Sequence, residues 1–102
     1  MAVECMDDAY IASYDVALNK AFTVVALKMS TKTLSTLAAP GGSLYGIQNT
    51  NNGKIVIFGG GDPLVYNGNI IGGLGVSGGS EEQDTALSAY GASIIDDIMK
   101  NF

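Results

Sequence analysis

Several short stretches of this sequence carry residue types that can do chemistry. They are Asp7-Asp8, Lys20, Gly59-Gly60-Gly61-Asp62-Pro63 and Gly75-Val76-Ser77-Gly78-Gly79. The adjacent carboxylates of Asp7 and Asp8 suit acid–base work or a cation, although at a helix entrance they ordinarily complement the dipole. Lys20 lies among Val16, Val24 and Leu27. There it pairs with Asp7 or Asp8, or it snorkels over apolar surface. The run Gly59 to Gly61 ahead of Asp62-Pro63 lets backbone approach a flat ligand, because glycine has no Cβ to block contact. The ordinary alternative is a wide turn. Gly75 to Gly79 leads from a strand into a helix start, where free N–H groups attract an anion. It lacks the lysine of a P-loop and the spacing of a dinucleotide site. Glu81, Glu82 and Asp84 also stand in that first turn, where they repel phosphate and satisfy the helix end themselves.

What is missing narrows the chemistry further. The chain has no histidine, which removes Ser-His-Asp and Cys-His catalysis, histidine metal sites and proximal-histidine haem ligation. A lone cysteine, Cys5, forbids an intrachain disulfide and a cysteine-only zinc site. Near a terminus its thiol reads as incidental or intermolecular. No nucleophile–base pair can be assembled, so no catalytic residue and no metal site is assigned. Net charge is −5, with five lysines as the only cationic side chains. That balance argues against nucleic acid and against anionic membranes. No apolar run approaches the roughly 18 residues of a spanning helix, and no basic-then-apolar leader is present. A soluble, cytoplasmic chain is the expectation. With 102 residues, 47% of them hydrophobic, residues 1–102 form a single domain.

The elements that must position these residues follow from the distribution of glycine. Residues 1–40 contain none, residues 41–79 contain all but one, and Gly91 stands alone near the end. This predicts helix, then a glycine-punctuated β region, then helix. The first helix is expected over about residues 9–28, capped by Asp8 or Ser13, with Asp15, Asn19 and Thr23 as a narrow polar stripe. The rest of it is apolar nearly all round, which predicts burial on more than one side. A short helical turn is expected over Thr33–Ala39, a loop over Asn49–Gly53 and a strand over Lys54–Phe58. Pro63–Tyr66, Asn67-Gly68 and Asn69–Val76 make a hairpin with a type I′ turn. Ser80 and Gln83 form a capping box for a helix running to about Lys100. Its apolar stripe reads as Leu87, Tyr90, Gly91, Ile94, Ile95 and Ile98.

At the glycine-rich hairpin the sequence resembles a known family. Phe58-Gly-Gly-Gly-Asp-Pro63, Gly68, Gly72-Gly-Leu-Gly-Val-Ser-Gly-Gly79 and Glu82-Gln-Asp84 look like the signature of haem-degrading HbpS/GlcG-like proteins. That family also forms the C-terminal domain of PduO-type cobalamin adenosyltransferases. Met6-Asp7-Asp8-Ala9, Asn19-Lys20-Ala21 and Thr31 resemble its upstream motifs, and the likeness covers about residues 4–95. It implies an α/β (α+β) profilin-like layered fold, an antiparallel sheet with packed helices. It also implies oligomers and, in several members, binding of haem or a related tetrapyrrole. Family domains usually begin with a helix and two strands ahead of the Met-Asp motif. By that measure the domain is truncated at its N-terminus, with an exposed sheet edge that calls for a second copy or a missing piece.

Together these readings predict a small homo-oligomeric accessory module that binds haem or a corrinoid-type tetrapyrrole without catalysis of its own. The cofactor-binding candidates are Asp7, Lys20, Gly60, Gly61, Pro63, Ser77 and Gly78, with Lys20 also available to a ligand propionate. Iron ligation falls to Met6, Cys5 or a tyrosine, because histidine is absent. The alternative is a structural, oligomerising domain with no ligand site. A redox or haem-degrading activity is implied only by the family's name.

Overall fold

The computed structural model describes residues 3–100. Helix α1 spans Ile11–Leu27, and a short helix α2 spans Thr31–Leu37. Lys28, in the left-handed region, ends α1, and Ser30 caps α2 by accepting the Thr33 N–H at 3.0 Å. Neither Asp8 nor Ser13 caps α1. Its N-cap is Tyr10, with no side-chain hydrogen bond, and Tyr10 and Ile11 are themselves exposed. Residues 47–53, expected to be loop from Asn49 on, contain two single 3₁₀ turns.

Strands β1 (Gly61–Tyr66) and β2 (Asn69–Gly75) pair antiparallel around Asn67-Gly68. Both turn residues have positive φ, +51° and +77°, as the expected turn requires. The register slips between Leu64 and Val65, a bulge that lets the hairpin twist. Lys54–Phe58 is not a strand. Its β-branched run is extended, but among the described residues the sheet has only two strands, β1 and β2. Thr23 holds this segment instead: its hydroxyl accepts the Val56 N–H at 2.9 Å and donates to the Asn19 carbonyl at 2.7 Å.

The C-terminal region breaks at Ile94 into α3 (Glu81–Ser93) and α4 (Ile95–Met99), rather than running unbroken to Lys100. The Ser80–Gln83 capping box is present in both directions. The expected apolar stripe is displaced, however. Asp84 and Ser88 are the buried residues of α3, whereas Leu87 and Tyr90 are 59% and 68% exposed. The inner face is polar because it meets polar partners: the Ser88 hydroxyl donates to Asp62 of β1, and Asp84 reaches into α1.

The hairpin lies between α1 and α3, giving a layered α+β fold. Helix α1 crosses β2 at very short range. A Cβ on Gly75 would stand 2.0 Å from the Ala17 carbonyl oxygen, so only glycine admits the helix there. Val24, Leu34, Ala38 and Ile55 form the apolar centre. Within this single chain only Lys20, Thr23 and Val24 of α1 are fully enclosed. Tyr14, Phe22 and Val25 remain between 39% and 48% exposed. Among the described residues no helix is long and apolar enough to cross a membrane.

Candidate functional site

Between the N-terminal segment, the outer side of α1 and the β2–α3 connection lies an open groove of about 1130 Å³. This is at the upper end of small-molecule sites, which run to about 1,000 Å³. Helical spacing builds one wall: Tyr14, Leu18 and Ala21 stand on the same side of α1, with Ala17 beside them. The facing wall is Gly73 to Gly79, and Leu87 of α3 closes one end. The surface is mainly apolar. Cys5, Met6, Tyr10 and Tyr14 are the soft or phenolic donors that line it.

Immediately behind the wall sits a buried ion pair. Lys20 has no exposed surface, and its Nζ lies 3.3 Å from Asp84 Oδ2 and 2.7 Å from the Val76 carbonyl oxygen. It also stands 5.0 Å from the centre of the Phe58 ring, within range of a cation–π contact. The other oxygen of Asp84 accepts the Gly79 N–H at 3.0 Å. Lys20 and Asp84 therefore bracket the turn from Val76 to Gly79 from behind. Gly60 completes the seat. Its φ is +122°, and a Cβ there would lie 2.5 Å from Lys20 Nζ and 2.6 Å from the Val76 oxygen.

The residues singled out in the sequence fall in three places. Asp7, Ser77 and Gly78 line the groove. Lys20, Gly60 and Gly61 are buried behind it, where the Gly61 N–H donates to Thr31 Oγ1 at 2.9 Å. Pro63 lies on β1 opposite Gly73, one strand away from the groove wall. The partner of Lys20 is Asp84 rather than Asp7 or Asp8, and its ammonium does not snorkel. Asp7 and Asp8 are exposed, with no ion pair to Lys20. In the first turn of α3 two of the acidic side chains accept backbone donors, though from outside the helix rather than from its own end. Asp84 takes Gly79, and Glu81 Oε2 takes the Gly59 N–H at 2.7 Å. Asp62 and Ser88 were missed as a pair. The sequence signal was there in the i, i+4 spacing of Asp84 and Ser88, hidden by the stronger apolar stripe beside it.

Ser77 and Gly78 make no hydrogen bond within the described residues. Their donors therefore remain free at the groove wall. Among the same residues no cluster of three or more histidine, cysteine or acidic side chains could hold a metal ion.

Comparison with known proteins agrees with this architecture. A 15.0 kDa protein from the dhaT-dhaS intergenic region of Citrobacter freundii is 49% identical over 88 residues, covering 86% of this chain and 62% of the relative. The corrinoid adenosyltransferase PduO of Salmonella typhimurium is 48% identical over 83 residues, 81% of this chain but only 25% of that protein. The chain thus spans less than two thirds of the length of either. Among solved structures, Klebsiella pneumoniae ORFY superposes with a TM-score of 0.89 at 42% identity, covering 94% of this chain and 66% of that one. The PduOC:heme complex follows at 0.83 and 46% identity, covering 90% and 68%. A double mutant of Streptomyces reticuli HbpS superposes at 0.73 and 28% identity, covering 86% and 57%. Residues 1–93 match the profile described as haem degrading protein HbpS-like, and the chain, with the hairpin glycines and the buried lysine built into one layered fold, belongs to that family.

Proposed function

We propose that this chain is a tetrapyrrole-binding accessory module without catalysis of its own, holding a haem- or corrinoid-type macrocycle in the groove. The observation that carries the reading is the groove itself: about 1130 Å³, mainly apolar, and walled by side chains of a rigid helix on one side and backbone on the other. A flat apolar ring needs such surfaces, with a few polar groups to orient it. The residues present fit the group. Cys5, Met6, Tyr10 and Tyr14 line the groove and are residue types that could ligate iron, so a metal held there would not require histidine. Bound there, a metallated tetrapyrrole would supply an axial coordination site at its metal. Ser77 and Gly78 orient its edge through their free donors, and Leu87 and Tyr14 shield its faces from water. The relative PduOC was solved with heme, which supports the same chemistry here.

Lys20, Gly60 and Gly61 serve this reading from behind the wall, and Asp7 contributes at the rim. The exposed Phe22 and Val25 on α1 support assembly as a homo-oligomer, measurable by light scattering at micromolar concentration. They also favour the second reading, an oligomerising domain with no ligand. Titration with hemin separates the two. A saturable Soret shift that weakens roughly tenfold or more in Leu87→Asp supports the binding module. A stable oligomer with no saturable shift leaves only the second.

A further inference from the structure

The charges around the groove are all of one sign. Glu4, Asp7 and Asp8 line it with no ion pair among the described residues, Asp84 lines it but is offset by Lys20 behind the wall, and no lysine is on the lining. Each of the five lysines is committed elsewhere or remote. Lys20 is neutralised by Asp84 behind the wall, and Lys28 terminates α1. Lys32 lines a separate small cavity with Glu81 and Glu82. Lys54 lies 5.6 Å from the Phe22 ring centre, and Lys100 pairs with Asp97 at 3.6 Å. The sequence holds no arginine or histidine to supply a further cation. What the groove wall does offer are neutral donors, the Ser77 hydroxyl and the Ser77 and Gly78 N–H groups, which have no partner among the described residues.

Haem carries propionates on its edge. In this groove they would meet the carboxylates of Glu4, Asp7 and Asp8, with no cationic side chain among the described lining residues to offset them. A corrinoid carries carboxamides on the same edge, which accept hydrogen bonds without adding negative charge. We infer that the groove selects a tetrapyrrole with a neutral, amide-bearing periphery, a corrinoid, over the dicarboxylate haem. This rests on the tetrapyrrole reading above and names the ligand class within it.

The test uses hemin, hemin dimethyl ester and dicyanocobinamide, each titrated calorimetrically into the full chain. Hemin and its ester share ring and metal and differ only in the carboxylates, so their ratio isolates charge. The expected result is that the ester binds about fivefold or more tighter than hemin at low ionic strength, as a few like charges across a wet groove require. The gap should shrink as salt is raised toward 0.5 M, and dicyanocobinamide should bind in the ester's range or tighter. Glu4→Gln, which removes one carboxylate from the lining, should strengthen hemin by about twofold and so narrow its gap to the ester. Hemin binding as tightly as its ester, with no response to salt, overturns the inference while the tetrapyrrole reading stands. A preferred ester without cobinamide binding overturns the corrinoid assignment. If none of the three binds, it is the tetrapyrrole reading that fails.

Discussion

On the inner side of α1, Lys20 and Thr23 are buried and fully engaged, and Ala17 rests directly on the backbone of Gly75. On the outer side, Ile11 and Tyr14 stand exposed, and the groove they border ends in the donors of Ser77 and Gly78, unpaired among the described residues. One helix thus buries Lys20 and Thr23 beside Val24 while leaving large apolar side chains exposed, a departure from the usual amphipathic arrangement. The departure separates two tasks. Inside, a polar network fixes one packing of helix on hairpin. Outside, apolar surface is kept available to something the isolated chain does not contain.

The largest expected effect comes from breaking the inner side. Lys20→Met strands Asp84 as a buried charge without its partner, and should cost about 3–5 kcal/mol of folding stability by urea denaturation. Lys20→Met combined with Asp84→Leu should recover most of that loss, because removing both charges also removes their desolvation cost. Gly75→Ala is next. Its methyl group would press on the Ala17 carbonyl, which is backbone and cannot rotate away, so the helix must shift at about 1–3 kcal/mol or more. The outer side should respond in the opposite way. Leu87→Asp changes an exposed position and should move stability by no more than about 0.5 kcal/mol, while weakening tetrapyrrole binding. A variant that lost stability and affinity in equal measure there would erase the distinction between the sides.

Local features of this fold were legible in the sequence, and long-range ones were not. Asn67-Gly68 and the Ser80–Gln83 box specify their own backbone through neighbours within a few residues, so both stand as expected. Lys54–Phe58 has the composition of a strand, but a strand needs a neighbour, and none of the described residues provides one. Lys20 and Asp84 lie 64 residues apart, and no periodicity links them. The stripe through Leu87 and Tyr90 misled for a physical reason. Hydrophobic spacing marks a face that avoids water, but a ligand or a partner chain can cover that face as well as the chain's own core can. Of the candidate site, Asp7, Ser77 and Gly78 were found at the groove, whereas the glycines and lysine of the same motifs turned out to support it from behind.

The central claim is that the outer side of α1 and the Gly73–Gly79 wall form the binding surface. Amide chemical-shift mapping with diamagnetic dicyanocobinamide tests it most directly, with zinc protoporphyrin as a second probe. Perturbations should cluster at Tyr14, Leu18, Leu74, Ser77, Gly78 and Leu87, and leave Thr31, Leu34 and the hairpin tip at Asn67 unchanged. Shifts centred on α2 or the hairpin tip, or no saturable shifts with either probe, would contradict the account.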